Sequence, residues 1–136
     1  MTDVFSKEKR SQVMSSIRSH GNKRTEIRLL TLMRKWHITG WRRNYPLFGR
    51  PDFVFPKKRV AVFVDGCFWH GCPKHGVTPA SNKAFWEKKL LANKLRDAEV
   101  NRTLKKKGWR VLRIWEHDLL VRHERRLYSR IKRYVL

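Results

Sequence analysis

Phe53-Val54-Phe55-Pro56-Lys57-Lys58-Arg59-Val60-Ala61-Val62-Phe63-Val64-Asp65 is the stretch on which the fold turns. β-Branched and aromatic residues fill its two arms, and Pro56-Lys57-Lys58-Arg59 breaks them, so it reads as a β-hairpin. Antiparallel pairing brings the start of the first strand beside the end of the second, which makes Asp52 a neighbour of Val64-Asp65. If Phe55 pairs with Val60, Asp65 shares a face with Asp52. A slip of one residue sends it to the other face and sets the Val64 carbonyl against Asp52. The two acids are a candidate metal cradle or, more simply, turn residues at strand ends.

Downstream, a helix from about Lys83 to Lys107 places Leu91, Leu95, Ala98 and Leu104 at helical spacing, and Gly108 terminates it. Trp109 to Trp115 reads as a strand reaching Glu116-His117. Because a helical crossover precedes it, this strand should lie parallel to its neighbour. Leu127, Ile131, Tyr134 and Val135 mark an amphipathic C-terminal helix that covers the sheet. Upstream, Trp41 to Tyr45 reads as an edge strand ending at Pro46. Thr25 to Trp36 is a helix with a broad apolar face, capped by Thr25 or Asn22, with Glu26 in its first turn and His37 at its far end. Ser6 to about Ser19 is a short basic helix carrying Val13, Ile17 and an exposed Met14, or else a frayed terminus. The order is two helices, about three strands, helix, strand, helix. It fits one α/β domain over residues 1–136, with a basic helix in 1–20 and a closing helix in 118–136.

Thirty-three Lys and Arg against 11 acidic residues give a formal charge of +22 on 136 residues. A field of that sign and size implies a polyanionic partner, and phosphate neutralisation with counterion release makes nucleic acid the leading one. A membrane surface or a ribosomal structural role are the plainer alternatives. No apolar run nears the roughly 20 residues of a spanning helix, and no signal-peptide core is visible. The expected location is the bacterial cytoplasm, at the nucleoid.

Hydrolysis of a phosphodiester calls for a divalent cation against the phosphate, a base for water, and acidic ligands. Asp52 and Asp65 supply the acids. Cys67, Cys72, His75 and the distant His117 form a complete four-ligand set for structural zinc, although two close cysteines also permit a disulfide. His70 lies between the cysteines and is left as a neutral imidazole suited to general-base work. Phe68-Trp69 and Phe85-Trp86 are ordinary core candidates, but beside a metal site in so basic a chain they can wedge between base pairs, as can Met14.

Gly49-Arg50-Pro51-Asp52, the run from Val62 through Asp65-Gly66-Cys67-Phe68-Trp69-His70-Gly71-Cys72-Pro73, and Gly108-Trp109-Arg110-Val111-Leu112 leading to Trp115-Glu116-His117 together resemble the very short patch repair (Vsr) DNA mismatch endonucleases. Arg10-Ser11 with Met14, and the Glu26 helix, are similar too. The resemblance spans nearly the whole chain up to about His117. It implies a restriction-endonuclease-like core of the PD-(D/E)xK superfamily, with a mixed central sheet flanked by helices and a structural zinc site. The implied activity is magnesium-dependent cutting of one strand 5′ of the thymine in a T·G mismatch of duplex DNA, which starts short-patch repair. By position, the resemblance assigns Asp52 and the Val64 carbonyl to magnesium, His70 to the general base, and Glu26 to a supporting role through ordered water. Cys67, Cys72, His75 and His117 fall at the zinc positions. Phe68, Trp69 and Trp86 match a wedge entering from the major groove, with Met14 in the minor groove.

Two departures from the family pattern stand out. A histidine is usual where this chain has Asp65, so either His70 acts alone or Asp65 joins the metal shell. His117 takes a zinc position that can be cysteine. The expected function is a zinc-stabilised, magnesium-dependent T·G nicking endonuclease. A nicking or restriction endonuclease without mismatch dependence and a non-catalytic zinc-bearing DNA-binding module are the alternatives. One active site suffices to cut one strand, which points to a monomer.

Overall fold

The computed structural model describes residues 23–67 and 82–136. Its elements in chain order are α1 (Lys23–Lys35), β1 (Phe53–Phe55), β2 (Val60–Asp65), α2 (Lys83–Lys106), β3 (Arg110–Trp115), two short 3-10 turns (Glu116–Leu119 and Val121–His123), and α3 (Glu124–Val135). The strands form one mixed sheet in the order β1-β2-β3. β1 runs antiparallel to β2 and β3 parallel to it, as the hairpin and crossover readings require. Among the described residues, no helix is long and apolar enough to cross a membrane.

β2 is central and buried along its whole length, because helices cover both faces of the sheet. On one face, Phe53, Phe55, Val60, Val62, Val64, Leu112 and Ile114 pack with Leu29, Leu32 and Met33 of α1 and Leu127, Ile131 and Val135 of α3. On the other, Ala61 and Phe63 meet Val100 and Leu104 of α2. The hairpin turn carries Arg59 at φ 55°, and the Arg59 carbonyl accepts the Arg110 amide at 2.8 Å, which aligns the start of β3 with that of β2.

α2 stops at a Schellman motif. The Trp109 amide reaches the Leu104 carbonyl at 2.9 Å and the Gly108 amide reaches Lys105 at 3.0 Å, with Gly108 at φ 87°. Of the stripe read from the sequence, Leu104 is covered, together with Leu90 and Val100, whereas Leu91 and Leu95 are 57% and 63% exposed and Ala98 is exposed as well. Both stripes have helical spacing, and the contact with Phe63 and Ala61 selects between them. The edge strand expected over Trp41–Tyr45 is also absent. A single bridge joins Arg42 to Val54, because Asn44 turns to φ 54° and Pro46 follows, so the chain leaves the sheet. Thr25 lies inside α1 and is buried rather than capping it. Asn22 and the helix expected over Ser6–Ser19 lie outside the described residues.

Candidate active site

Asp52 sits at the bend before β1. Phe53 is the residue opposite Val62, yet the Asp52 amide also donates to the Val62 carbonyl, at 2.9 Å. Two consecutive residues thus face one, the arrangement of a β-bulge, which redirects a side chain where strand pairing ends. The redirected carboxylate crosses the hairpin mouth, and its Oδ2 accepts the Val64 amide at 2.7 Å. In an extended strand a residue's N–H and C=O point to the same side, so the Val64 carbonyl also faces the Asp52 side. The sheet keeps Phe55 opposite Val60, and the bulge still brings Asp52 to Val64 without a slipped register.

Glu26 reaches the same place from the first turn of α1. It accepts the Arg43 guanidinium at 2.6 Å and also hydrogen-bonds the Asp52 carboxyl. Two carboxyls share a hydrogen bond only with a proton between them. Burial is the largest influence on Asp52. The bond to Glu26 raises its pKa further, the Val64 amide opposes the rise, and the charges of Glu26 and Asp65 add to it, leaving the carboxyl at about 8. A dry carboxyl that holds a proton near neutral pH, with a second carboxyl and a strand-edge carbonyl beside it, suits a hard cation with oxygen ligands. Among the described residues, no three His, Cys, Asp or Glu side chains converge into a cage for an ion. Magnesium does not require one, since it takes one or two carboxylates and completes its shell with water and substrate phosphate.

Asp65, at the end of β2, is engaged elsewhere. Arg113 Nη1 donates to both of its carboxylate oxygens, at 3.0 and 3.1 Å, and the Asp65 side chain is almost wholly buried.

Cys67 and His117, fifty positions apart, come together where β2 and β3 end side by side. Their Sγ and Nδ1 atoms are 3.4 Å apart. Ligands at about 2.3 Å for sulfur and about 2.0 Å for nitrogen, set at a tetrahedral angle, are about 3.5 Å from each other, so the pair fits a shared zinc ion. Without metal the same distance is a thiol–imidazole hydrogen bond. The other ring nitrogen of His117 lies 3.6 Å from the Asp118 carboxylate, which orients the imidazole. Asp118 is itself fixed by the Trp115 amide at 2.9 Å and Arg130 at 3.3 Å, and the Cys67 amide donates to Glu116 at 3.3 Å.

Trp86 is half-buried near the start of α2, edge-on to Phe85 at 5.1 Å. Met14, Phe68, Trp69, His70, Cys72 and His75 lie outside the described residues. The structure therefore gathers Glu26, Asp52 and Val64 at one point, Cys67 and His117 at another, and ties Asp65 to Arg113.

Residues 2–75, more than half of the chain, match the family model described as DNA mismatch endonuclease Vsr. The chain belongs to the Vsr family. It is 40% identical over 124 residues to the type II nicking enzyme V.XorIIP of Xanthomonas oryzae, covering 88% of each protein. To the DNA mismatch endonuclease Vsr of Escherichia coli it is 37% identical over 118 residues, 85% of this chain and 74% of that one. A shorter match, 55% over 71 residues, joins it to the type II nicking enzyme V.NaeI of Lentzea aerocolonigenes, with 52% of this chain and 43% of that protein aligned. This Vsr-family chain is accordingly a DNA endonuclease, and the reading as a non-catalytic binding module is set aside.

Arg43, Arg113 and Asp118, the partners of Glu26, Asp65 and His117, were not legible in the sequence. Arg113 alternates with the buried Leu112 and Ile114 on β3, and so faces α2 and the end of β2. That alternation was the available signal. The partnership of Arg43 with Glu26 joins two loosely patterned segments and left no mark in the sequence.

Proposed function

We propose that this chain nicks duplex DNA on the 5′ side of the thymine in a T·G mismatch, initiating short-patch repair, with magnesium at Asp52 and the Val64 carbonyl. The single observation that carries the reading is the Asp52 carboxylate, dry and bound to the Val64 amide and Glu26, in a chain of the Vsr family. When bound, magnesium supplies positive charge against the scissile phosphate. Asp52, its proton released to water, would hold the ion as a carboxylate together with the Val64 carbonyl. Glu26, held by Arg43, supports the ordered water around the site. His70 takes the proton of the attacking water. Cys67, Cys72, His75 and His117 would hold structural zinc. Phe68, Trp69, Trp86 and Met14 enter the duplex, and a mismatch yields to them first because it costs less to unstack. The protein acts as a monomer at the bacterial nucleoid, and its charge of +22 holds the phosphate backbone.

Relatives named type II nicking enzymes favour a second reading, in which the same chemistry nicks at a site without requiring a mismatch. Nicking of matched and T·G duplexes in magnesium, with Asp52→Ala and His70→Ala as controls, separates the two. Preference for the T·G duplex is the expected result, and equal cutting of both duplexes sinks mismatch dependence. Full activity in Asp52→Ala overturns the assigned site.

A further inference from the structure

At the end of the sheet opposite the Asp52 mouth, the ends of five elements meet. β1 closes into the hairpin turn there and β2 leaves it, and pairing of Val60 with Arg110 makes β3 begin beside them. α2 arrives at Lys106, just before that start. α3 finishes at the same pole, where Arg110 Nη2 donates to the Tyr134 carbonyl and Val135 lines one groove with Lys57 and Lys58. The exposed side chains of the hairpin turn (57–59), of the end of α2 (105–107) and of the last turn of α3 (132 and 133) are all Lys or Arg, eight in number. No Asp or Glu occurs in 53–64, 100–115 or 125–136. None of the eight takes part in an ion pair among the described residues.

Helix ends call for part of this charge. The two C-termini here carry about −0.5 each, so eight cations exceed what they need severalfold. The catalytic mouth does not account for the rest. From Val60 to Val64 the strand rises about 13 Å, and the turn lysines stand beyond Val60, farther from Asp52 than the roughly 8 Å over which salt screens charge. Like charge crowded in this way destabilises a fold by self-repulsion, and a polyanion relieves it. A protein partner would meet an apolar centre ringed by polar groups, whereas the exposed side chains of the turn and of both helix ends are cations throughout.

We propose that this basic pole is a second nucleic-acid site, which binds the phosphate backbone of another duplex while the mouth holds the duplex to be nicked. Which duplex lies where rests on the reading of the Asp52 mouth as the catalytic face. The two ends of the sheet look in opposite directions, and duplex DNA is stiff over about 150 bp, so a short duplex seated at the mouth does not bend round to the pole. Phosphate contacts carry no sequence information, so the pole takes matched and mismatched DNA alike. One chain thereby holds one segment while it acts on the other.

The test is capture without magnesium. A matched duplex of about 20 bp, far shorter than the length over which DNA bends, is fixed to beads. Zinc-loaded full chain is added below the amount of fixed duplex, and a fluorescent T·G duplex carried onto the beads is measured. Mass photometry of the same mixture in solution counts chains per complex. Wild type is compared with Lys57→Gln/Lys58→Gln and with Arg125→Gln/Arg126→Gln, which removes equal charge from the first turn of α3, at the far end of that helix. Circular dichroism checks folding, and nicking of the T·G duplex in magnesium is measured separately.

Wild type should join the two duplexes with one chain. The turn variant should lose capture at least about tenfold at about 50 mM salt, with a log–log salt slope flatter by about 1.8, the share of two phosphate contacts. It should nick the T·G duplex at the wild-type rate, and the α3 variant should capture like wild type. Should the turn variant not fold, Lys105→Gln/Lys106→Gln is judged by the same criteria. Absence of capture by wild type, two chains per joined pair, or equal losses in the turn and α3 variants overturns the inference. Binding of poly-glutamate without capture of a second duplex also overturns it, and makes an acidic protein the occupant. Failed capture by a protein that still nicks removes only the pole. Capture as expected by a protein that leaves the T·G duplex whole in magnesium supports the pole and sinks the catalytic reading of the mouth.

Discussion

Asp52 Oδ2 accepts the backbone amide of Val64 at 2.7 Å, closing the hairpin mouth with a side chain just past the last paired residues of β1 and β2. Burial, with Glu26 beside it, raises this carboxyl from 3.8 to about 8. Below pH 3.8 both folded and unfolded chains hold the proton. Between 3.8 and 8 the folded chain keeps a proton that the unfolded chain has released, so this group's contribution to stability falls as pH rises, and it levels off above about 8. In chelator, the Tm of the wild type should therefore drop between pH 5 and 8 relative to Asp52→Asn, which keeps an acceptor for Val64 but does not ionise. Magnesium should reduce the drop, because it binds the ionised form. Parallel Tm profiles of the two proteins across that range would show that Asp52 does not titrate as described.

Cys67 and His117 make a second prediction. Replacing Cys67 by Ser, or His117 by Ala, should lower both bound zinc and thermal stability, because binding of a structural ion is folding free energy. Chelation of the wild type should bring its Tm down towards that of the variants. Wild-type protein purified without zinc, or Cys67→Ser that retains a full equivalent, would remove the metal from this site.

Gly49 is predicted to tolerate no side chain. It adopts φ +84°, and a Cβ there would stand 2.5 Å from Cγ1 of Val100 on α2. Gly49→Ala should cost about 1–3 kcal/mol for the left-handed backbone and about 1–3 kcal/mol more for overpacking. Adding Val100→Ala should recover the second part and leave the first. Chemical denaturation of the two variants measures both, and a Gly49→Ala protein as stable as wild type would refute the contact.

How far the sequence foretold this arrangement follows from which signals are local. Turn residues and strand composition mark the hairpin, and a helix between two strands argues for a parallel return, so β1, β2 and β3 were readable along with α1 and α3. Neighbourhood of Asp52 and Val64 followed from pairing alone. The bulge at Asp52 did not, because nothing in Pro51-Asp52-Phe53 tells that two residues will face Val62. Asp65 looked like a companion to Asp52 because its partner, Arg113, arrives from a strand 48 positions away. The choice between the two apolar stripes of α2 was equally non-local.

That choice gives the last prediction. Leu104 is fully buried against Ala61, Phe63 and Val100, whereas Leu91, spaced along the same helix, is 57% exposed. Leu104→Ala should destabilise by about 2–5 kcal/mol through lost burial and the cavity left behind. Leu91→Ala should stay within about 0.5 kcal/mol of wild type, because Ala is the better helix former and no packed neighbour is lost. Urea denaturation midpoints at constant slope provide the comparison. Equal effects at the two positions would mean that α2 presents a different face to the sheet, and with it a different set of side chains, including Asp97 and Asn101, to Arg113.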